Sequence, residues 1–267
     1  MRIDQNDIIV KSWSELCECL YDQSFQRSIG RFRSNFAFRG VSDKAYNLKT
    51  SFLRNCGSNA GLEYHLLRNF QKYAQIDDAE VTWSDWHWMT LAQHHGLPTR
   101  LMDWTYSPFV AMHFATSETS RFNCDAAIWH VDYGKVNRLL PPPLIDTLNT
   151  VGGKAFTLAM MEKAIPDIPC FDTLSKHDLV LFFEPPSLDA RIVNQFAFFS
   201  VMSSPLASLD EWLLEHPDLY RRVIIPADLK WEVRDKLDQA NITERTLFPG
   251  LDGLASWLSR HYRPRLS

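Results

Sequence analysis

The sequence holds five cysteines, Cys17, Cys19, Cys56, Cys124 and Cys170, an odd number with no CxxC pair and no zinc-ligand spacing. Neither a disulfide framework nor a metal site is expected. Residues 1–10 mix Arg, Asp and Asn with Ile and lack the apolar run of a signal peptide, and no later segment is long and apolar enough to cross a bilayer. These absences predict a cytoplasmic, unprocessed chain with no membrane partner. No GxSxG, no Cys/His arrangement and no phosphate-binding loop of the P-loop kind is present, so nothing points to acyl transfer or to that mode of nucleotide binding. There is no internal repeat and no low-complexity tract. The net charge of −4 gives no sign of a general binder of nucleic acid or acidic membrane.

What is present is a chain of 267 residues, 45% hydrophobic and 22% charged, enough for a globular protein with a substantial core. Its 17 Phe and 9 Trp suit core packing and, in part, pocket walls. Periodicity predicts helices over 12–20, 61–74, 83–92, 229–240 and 253–262, and strands over 36–39, 126–131 and 223–226. In the helix over 61–74 the apolar stripe is Tyr64, Leu66, Leu67, Phe70 and Tyr73. Pro141-Pro142-Pro143 and Gly152-Gly153 mark a loop-rich insertion over about 135–176, with a short helix over 157–164 inside it. The whole, 1–267, reads as one domain with its core over about 34–258.

The stretch 93–115 is the most informative, because Gln93, His94, Arg100, Asp103, Thr105 and Ser107 interrupt residues that otherwise read as core. Buried polar groups are costly unless each finds a partner, so a site or a partnered network is implied. Ser107 before Pro108 has the order of a helix N-cap and first helical position, with an apolar helix continuing over 109–115. Residues 100–104 then form the extended segment feeding that helix. Arg100 and Asp103 read as a buried ion pair holding two elements together, with Asp103 also a candidate catalytic carboxylate. His94 is either a general acid or base or a hydrogen-bonded core histidine. Two basic stretches stand out: Arg27, Arg31, Arg33, Arg39, Lys44, Lys49 and Arg54 with Asp43 as their only acid, and Arg260, His261, Arg263 and Arg265 at the end. Each is either a solvated face or a draw for phosphates.

Phe38-Arg39-Gly40, followed by the run from Gln93 through Thr105, resembles the FRG domain family, named for its Phe/Tyr-Arg-Gly motif. Ser107-Pro108, Ala111, Phe114-Ala115, Arg191-Ile192, Gln195, Phe199 and the run Leu247-Phe248-Pro249-Gly250-Leu251-Asp252-Gly253-Leu254 continue the resemblance. Where that family usually has glycine two positions after the Gln, this chain has Ala197. A weaker similarity, in the order Arg39-Gly40, Thr105 to Ser107, Ala111 with Phe114-Ala115, and Gln195, is to the ADP-ribosyltransferase superfamily.

That second resemblance implies an α+β fold, a mixed sheet core of ADP-ribosyltransferase-like type with flanking and inserted helices. It also implies NAD as a substrate and no metal. Arg39 would hold the ribose or phosphates, where a planar fork of donors suits oxygen-rich ligands. Gly40 would let the backbone reach the nicotinamide amide. Thr105 and Ser107 would organise the pocket, and Trp104 and Tyr46 would stack on nicotinamide. Gln195 stands where fast members of that superfamily carry Glu, and an amide cannot supply charge to a developing cation. Asp103, Glu184 and Asp189 are the alternative carboxylates. The function implied is transfer of ADP-ribose to a nucleic acid or protein, as a toxin or phage-defence effector with an antitoxin or antagonist protein. A non-catalytic nucleotide-binding or interaction module is the alternative.

Overall fold

The computed structural model describes residues 5–74 and 83–264; Arg265, counted above in the C-terminal basic stretch, lies outside them. Among the described residues ten strands are formed: β1 (Asp7–Ile9), β2 (Phe25–Gln26), β3 (Arg31–Phe32), β4 (Phe36–Val41), β5 (Leu101–Thr105), β6 (Ala126–Asp132), β7 (Phe156–Thr157), β8 (Val180–Glu184), β9 (Ala197–Met202) and β10 (Tyr220–Ile225). Eight of them make one sheet in the order β1-β10-β6-β4-β5-β9-β8-β7, and β2 pairs with β3 in a separate hairpin. The sheet is mixed: β1/β10 and β7/β8, at its two ends, are parallel, and every interior pair is antiparallel. Helices flank it, so the architecture is α+β with a large mixed sheet.

The sheet is split near its middle. β4 pairs with β6 over six positions and β5 with β9 over five, but β4 meets β5 only where Phe38 faces Thr105. Side chains alternate between faces along each strand, and the two faces are packed differently. One carries a continuous core, with Ala37 and Val41 of β4, Met102 and Trp104 of β5, and Phe182 and Phe198 further along. The opposite face carries two separate cores among the described residues. Leu101, Leu181 and Phe199 pack there against Trp86 and Met89, whereas Phe36, Phe38 and Ile128 pack against Ala111, Met112 and Ala115.

Five helices matter for the site: α1 (Trp13–Tyr21), α2 (Ser51–Cys56), α3 (Gly61–Tyr73), α4 (Asp85–His94) and α5 (Pro108–Ala115). Ser12 caps α1 and Ser107 caps α5, each accepting a backbone N–H from inside the first turn, and Pro108 takes the first turn of α5, where no N–H is needed. Two expectations require correction. Tyr64 and Tyr73 are exposed rather than part of an apolar stripe, and Glu63 is buried in α3 instead. The region 135–176 is helical rather than loop-rich: Pro142–Val151, Leu158–Ala164 and Ile168–Asp172 are helices. Pro142 opens the first of these and left-handed Gly152 ends it, so the residues that suggested loops act as helix start and stop signals.

Candidate functional site

The polar residues of β5 and its approach separate into structural and open groups. Arg100, 2% exposed, does not pair with Asp103. Its Nε donates to both carboxylate oxygens of Glu63 at 2.8 Å, Nη2 reaches Asp172 Oδ2 at 3.2 Å, and Nη1 reaches the Ser203 carbonyl at 3.2 Å. Burial disfavours the charge, but its bonds to Glu63 and Asp172 outweigh it, so Arg100 titrates above the ordinary arginine value. It ties α3 and the helix Ile168–Asp172 to the start of β5, a central strand of the sheet.

Asp103 is exposed, although it lies at the centre of a strand whose other four residues, Leu101, Met102, Trp104 and Thr105, are buried. β5 has neighbours on both sides, so this openness comes from above the sheet, where the two cores of that face stand apart. α4 ends there at Gln93 and His94, and α5 ends at Phe114 and Ala115. Thr99 Oγ1 donates to Gln93 Oε1 at 2.6 Å, which fixes the amide so that its Nε2 donates to Asp103 Oδ2 at 3.0 Å. From the other side of the split, Arg39 Nη1 donates to the Asp103 carbonyl. Burial holds the Arg39 guanidinium below the ordinary arginine value against the pull of the Asp103 carboxylate, and Arg54 adds to the lowering. A cavity of about 510 Å³ opens beside Arg39, with Gly40, Tyr46, Arg54, Phe114 and Glu118 in its wall; Asp103 and His94 do not line it. Tyr46 is exposed there, beneath the Arg121 guanidinium at 5.7 Å.

Gly40 is committed to packing. A Cβ at this position would lie 1.9 Å from the Ala111 carbonyl oxygen and 2.6 Å from the Ala115 nitrogen, both backbone atoms of α5. Its missing side chain lets α5 settle on β4, a sufficient reason for glycine after Arg39. Gly253 plays the same part later, where a Cβ would meet the Phe248 carbonyl oxygen at 1.9 Å, and Gly250 has a φ of 112°, in the region that favours glycine.

The remaining expected site residues are placed apart from the cavity. Trp104 is buried, donates Nε1 to Ser200 Oγ at 2.9 Å and meets Phe182 edge-on, leaving no ring face for a ligand. Thr105 donates Oγ1 to the Gln195 carbonyl at 2.7 Å and accepts from the Ser107 N–H at 3.0 Å. Ser107 caps α5, and Gln195 Nε2 donates to the Leu247 carbonyl at 3.0 Å. These three form a knot that joins β5, α5 and the segment before β9, and none of them lines the cavity that holds Arg39. Glu184 accepts from Tyr106 OH at 3.1 Å, away from that cavity as well.

His94 Nε2 meets Asp189 Oδ2 at 2.9 Å, while Asp189 Oδ1 caps the helix Ala190–Asn194 by accepting from Ile192 N–H at 3.1 Å. Asp189 thus orients the imidazole and starts the helix that carries Arg191. The Arg191 guanidinium lies 5.1 Å over the Phe248 ring, which in turn meets Phe114 at 6.2 Å. The sequence alone gives Arg54 only a share in a basic stretch, either a solvated face or a draw for phosphates, and gives no ligand role to Phe114 or Phe248. The last two stood inside the quoted motifs, and Arg54 inside the basic stretch, so the signal was present without a location.

Residues 34–124 match the family model described as the FRG domain. No curated protein and no solved structure matches the chain. Among the described residues no helix is long and apolar enough to cross a membrane.

Proposed function

We propose that this chain, which carries an FRG domain, is an NAD-consuming ADP-ribosyltransferase whose dinucleotide lies in the split between β4 and β5. The observation that carries this reading is the exposed Asp103 carboxylate on a central strand, whose backbone carbonyl accepts from the Arg39 guanidinium. The chain's residues fit such a substrate: a partly buried guanidinium for phosphate or ribose oxygens, a cavity of about 510 Å³ and an exposed Tyr46 ring in its wall.

In the reaction the bond from ribose C1′ to the nicotinamide nitrogen breaks, and its electron pair leaves with nicotinamide. An acceptor nucleophile then bonds to C1′. Positive charge develops at the ribose as in glycoside cleavage, and a fixed carboxylate favours it. Asp103, held by the Gln93 amide, supplies that carboxylate here in place of Gln195. His94, oriented by Asp189, accepts the proton of the acceptor group. The acceptor belongs to a nucleic acid or a protein.

A second reading, a nucleotide-binding module without turnover, is favoured by one observation: the Gln195 amide is spent on the Leu247 carbonyl. NAD labelled on its adenylate part separates the two. Transferase activity predicts label on the protein or on added cellular macromolecules, abolished by Arg39→Ala with the melting temperature kept. Binding of NAD without any label favours the module, and neither binding nor label removes both readings.

A further inference from the structure

We infer that the hairpin β2–β3 is a contact element for single-stranded nucleic acid. It stands outside the main sheet, and its ring pair is unpartnered by the core: Phe25 is 50% exposed, Phe32 is 59% exposed, and their centroids are 5.1 Å apart. The two lie opposite one another across the ribbon, with Gln26 and Arg31 as the neighbouring pair. Arg27, Arg31 and Arg33 are exposed on the same nine-residue ribbon, and among the described residues no carboxylate is within ion-pair reach of any of them. No Asp or Glu occurs between Asp22 and Asp43.

A chain of net charge −4 therefore carries one local surface that is basic throughout and aromatic on one side. Guanidinium forks bind phosphates, and exposed rings take the faces of unpaired bases irrespective of sequence. The distribution argues against a membrane anchor. Insertion into a bilayer would place the apolar groups at the tip, but here the rings sit at the base of the ribbon and the turn 27–30 contains one apolar residue, Ile29, among Arg27, Ser28 and Gly30. The hairpin runs through Arg33 and Asn35 directly into β4, the strand that bears Arg39. The inference does not depend on turnover in the cleft, since it is read without NAD.

The test is fluorescence anisotropy of the full chain with labelled oligo-U and oligo-dT of about 20 nucleotides, across roughly 50 to 200 mM salt. The wild-type chain is expected to bind saturably. Arg27→Ala with Arg31→Ala should flatten the plot of log K against log salt by about 1.4, two phosphates at about 0.7 each. Phe25→Ala or Phe32→Ala should weaken binding by about 5- to 150-fold with the salt slope kept. All four side chains are exposed, so melting temperatures should match the wild type. Failure to bind at the lowest salt, variants that bind like the wild type, or sedimentation with phosphatidylserine vesicles in the absence of oligonucleotide binding would each overturn the inference.

Discussion

Gly40→Ala should destabilise the fold itself, before any ligand is considered. The new methyl would lie 1.9 Å from the Ala111 carbonyl oxygen, 2.6 Å from the Ala115 nitrogen and 2.9 Å from the Ala111 carbonyl carbon. All three are backbone atoms, so no rotamer change relieves the contact. To restore ordinary contact at 3.4 Å from 1.9 Å, α5 must move by about 1.5 Å. That helix buries Ala111, Met112 and Ala115 completely, so the movement opens the core beneath it. Overpacking of this kind costs about 1–3 kcal/mol, and a clash with helix backbone belongs at the upper end. Replacing Gly also restricts the unfolded chain, which returns ~0.4–1 kcal/mol. The net expectation is a loss of roughly 2 kcal/mol, or about 4–8 °C in melting temperature for a chain of this length. Urea and thermal unfolding followed by tryptophan fluorescence measure it. A variant within about 0.5 kcal/mol of the wild type would refute the packing account and return Gly40 to a purely ligand-facing role.

Arg100→Met should be more costly, about 3–5 kcal/mol, because it leaves Glu63 buried without its cation; a urea midpoint close to that of the wild type would refute it. Asp103→Asn should leave stability within about 0.5 kcal/mol, since the side chain is exposed and Asn Oδ1 still accepts from Gln93. Acid should weaken the packing of α5 through His113, whose imidazole is held at about 3 by burial and by Arg234, against an ordinary 6.5. The unfolded chain binds the proton first, so stability is complete above about 6.5 and falls as pH drops toward 3. Burial opposes the Glu244 charge, yet bonds from Arg260 hold its pKa down at about 2 against 4.5, so its contribution is lost below about 4.5, in the same direction. His113→Asn, which keeps an acceptor for Arg234, should flatten the dependence of unfolding free energy on pH between 6.5 and 4.5; an unchanged slope there would contradict this assignment.

Local stereochemistry was legible in the sequence, and distant partners were not. Ser107-Pro108 announced the start of α5 because capping and proline geometry are decided within four residues. The strand expected over 126–131 forms as Ala126–Asp132 for a similar reason, its run being apolar on both faces. Arg100 shows the limit: a buried cation must have an anion, and the nearest in sequence was Asp103, but the fold supplies Glu63 and Asp172, which are 37 and 72 residues away. Trp104 reads as a ring to stack on a ligand only until β5 alternation turns it to the opposite face. The same alternation brings Asp103 to the open side, a position that depends on where β4 and β5 separate and therefore on tertiary structure.

Nicotinamide release from NAD, compared between the wild-type chain and Asp103→Asn at matched melting temperatures, tests the central claim most directly. The asparagine variant keeps the shape and the Gln93 bond but removes the charge that favours the ribosyl cation. The account predicts release by the wild type and a loss of about a hundredfold or more in the variant, as for removal of other electrostatic transition-state contacts. Release unaffected by the substitution would contradict the role of Asp103, and a wild-type chain that releases no nicotinamide, with or without acceptor macromolecules, would contradict the assignment of the cleft.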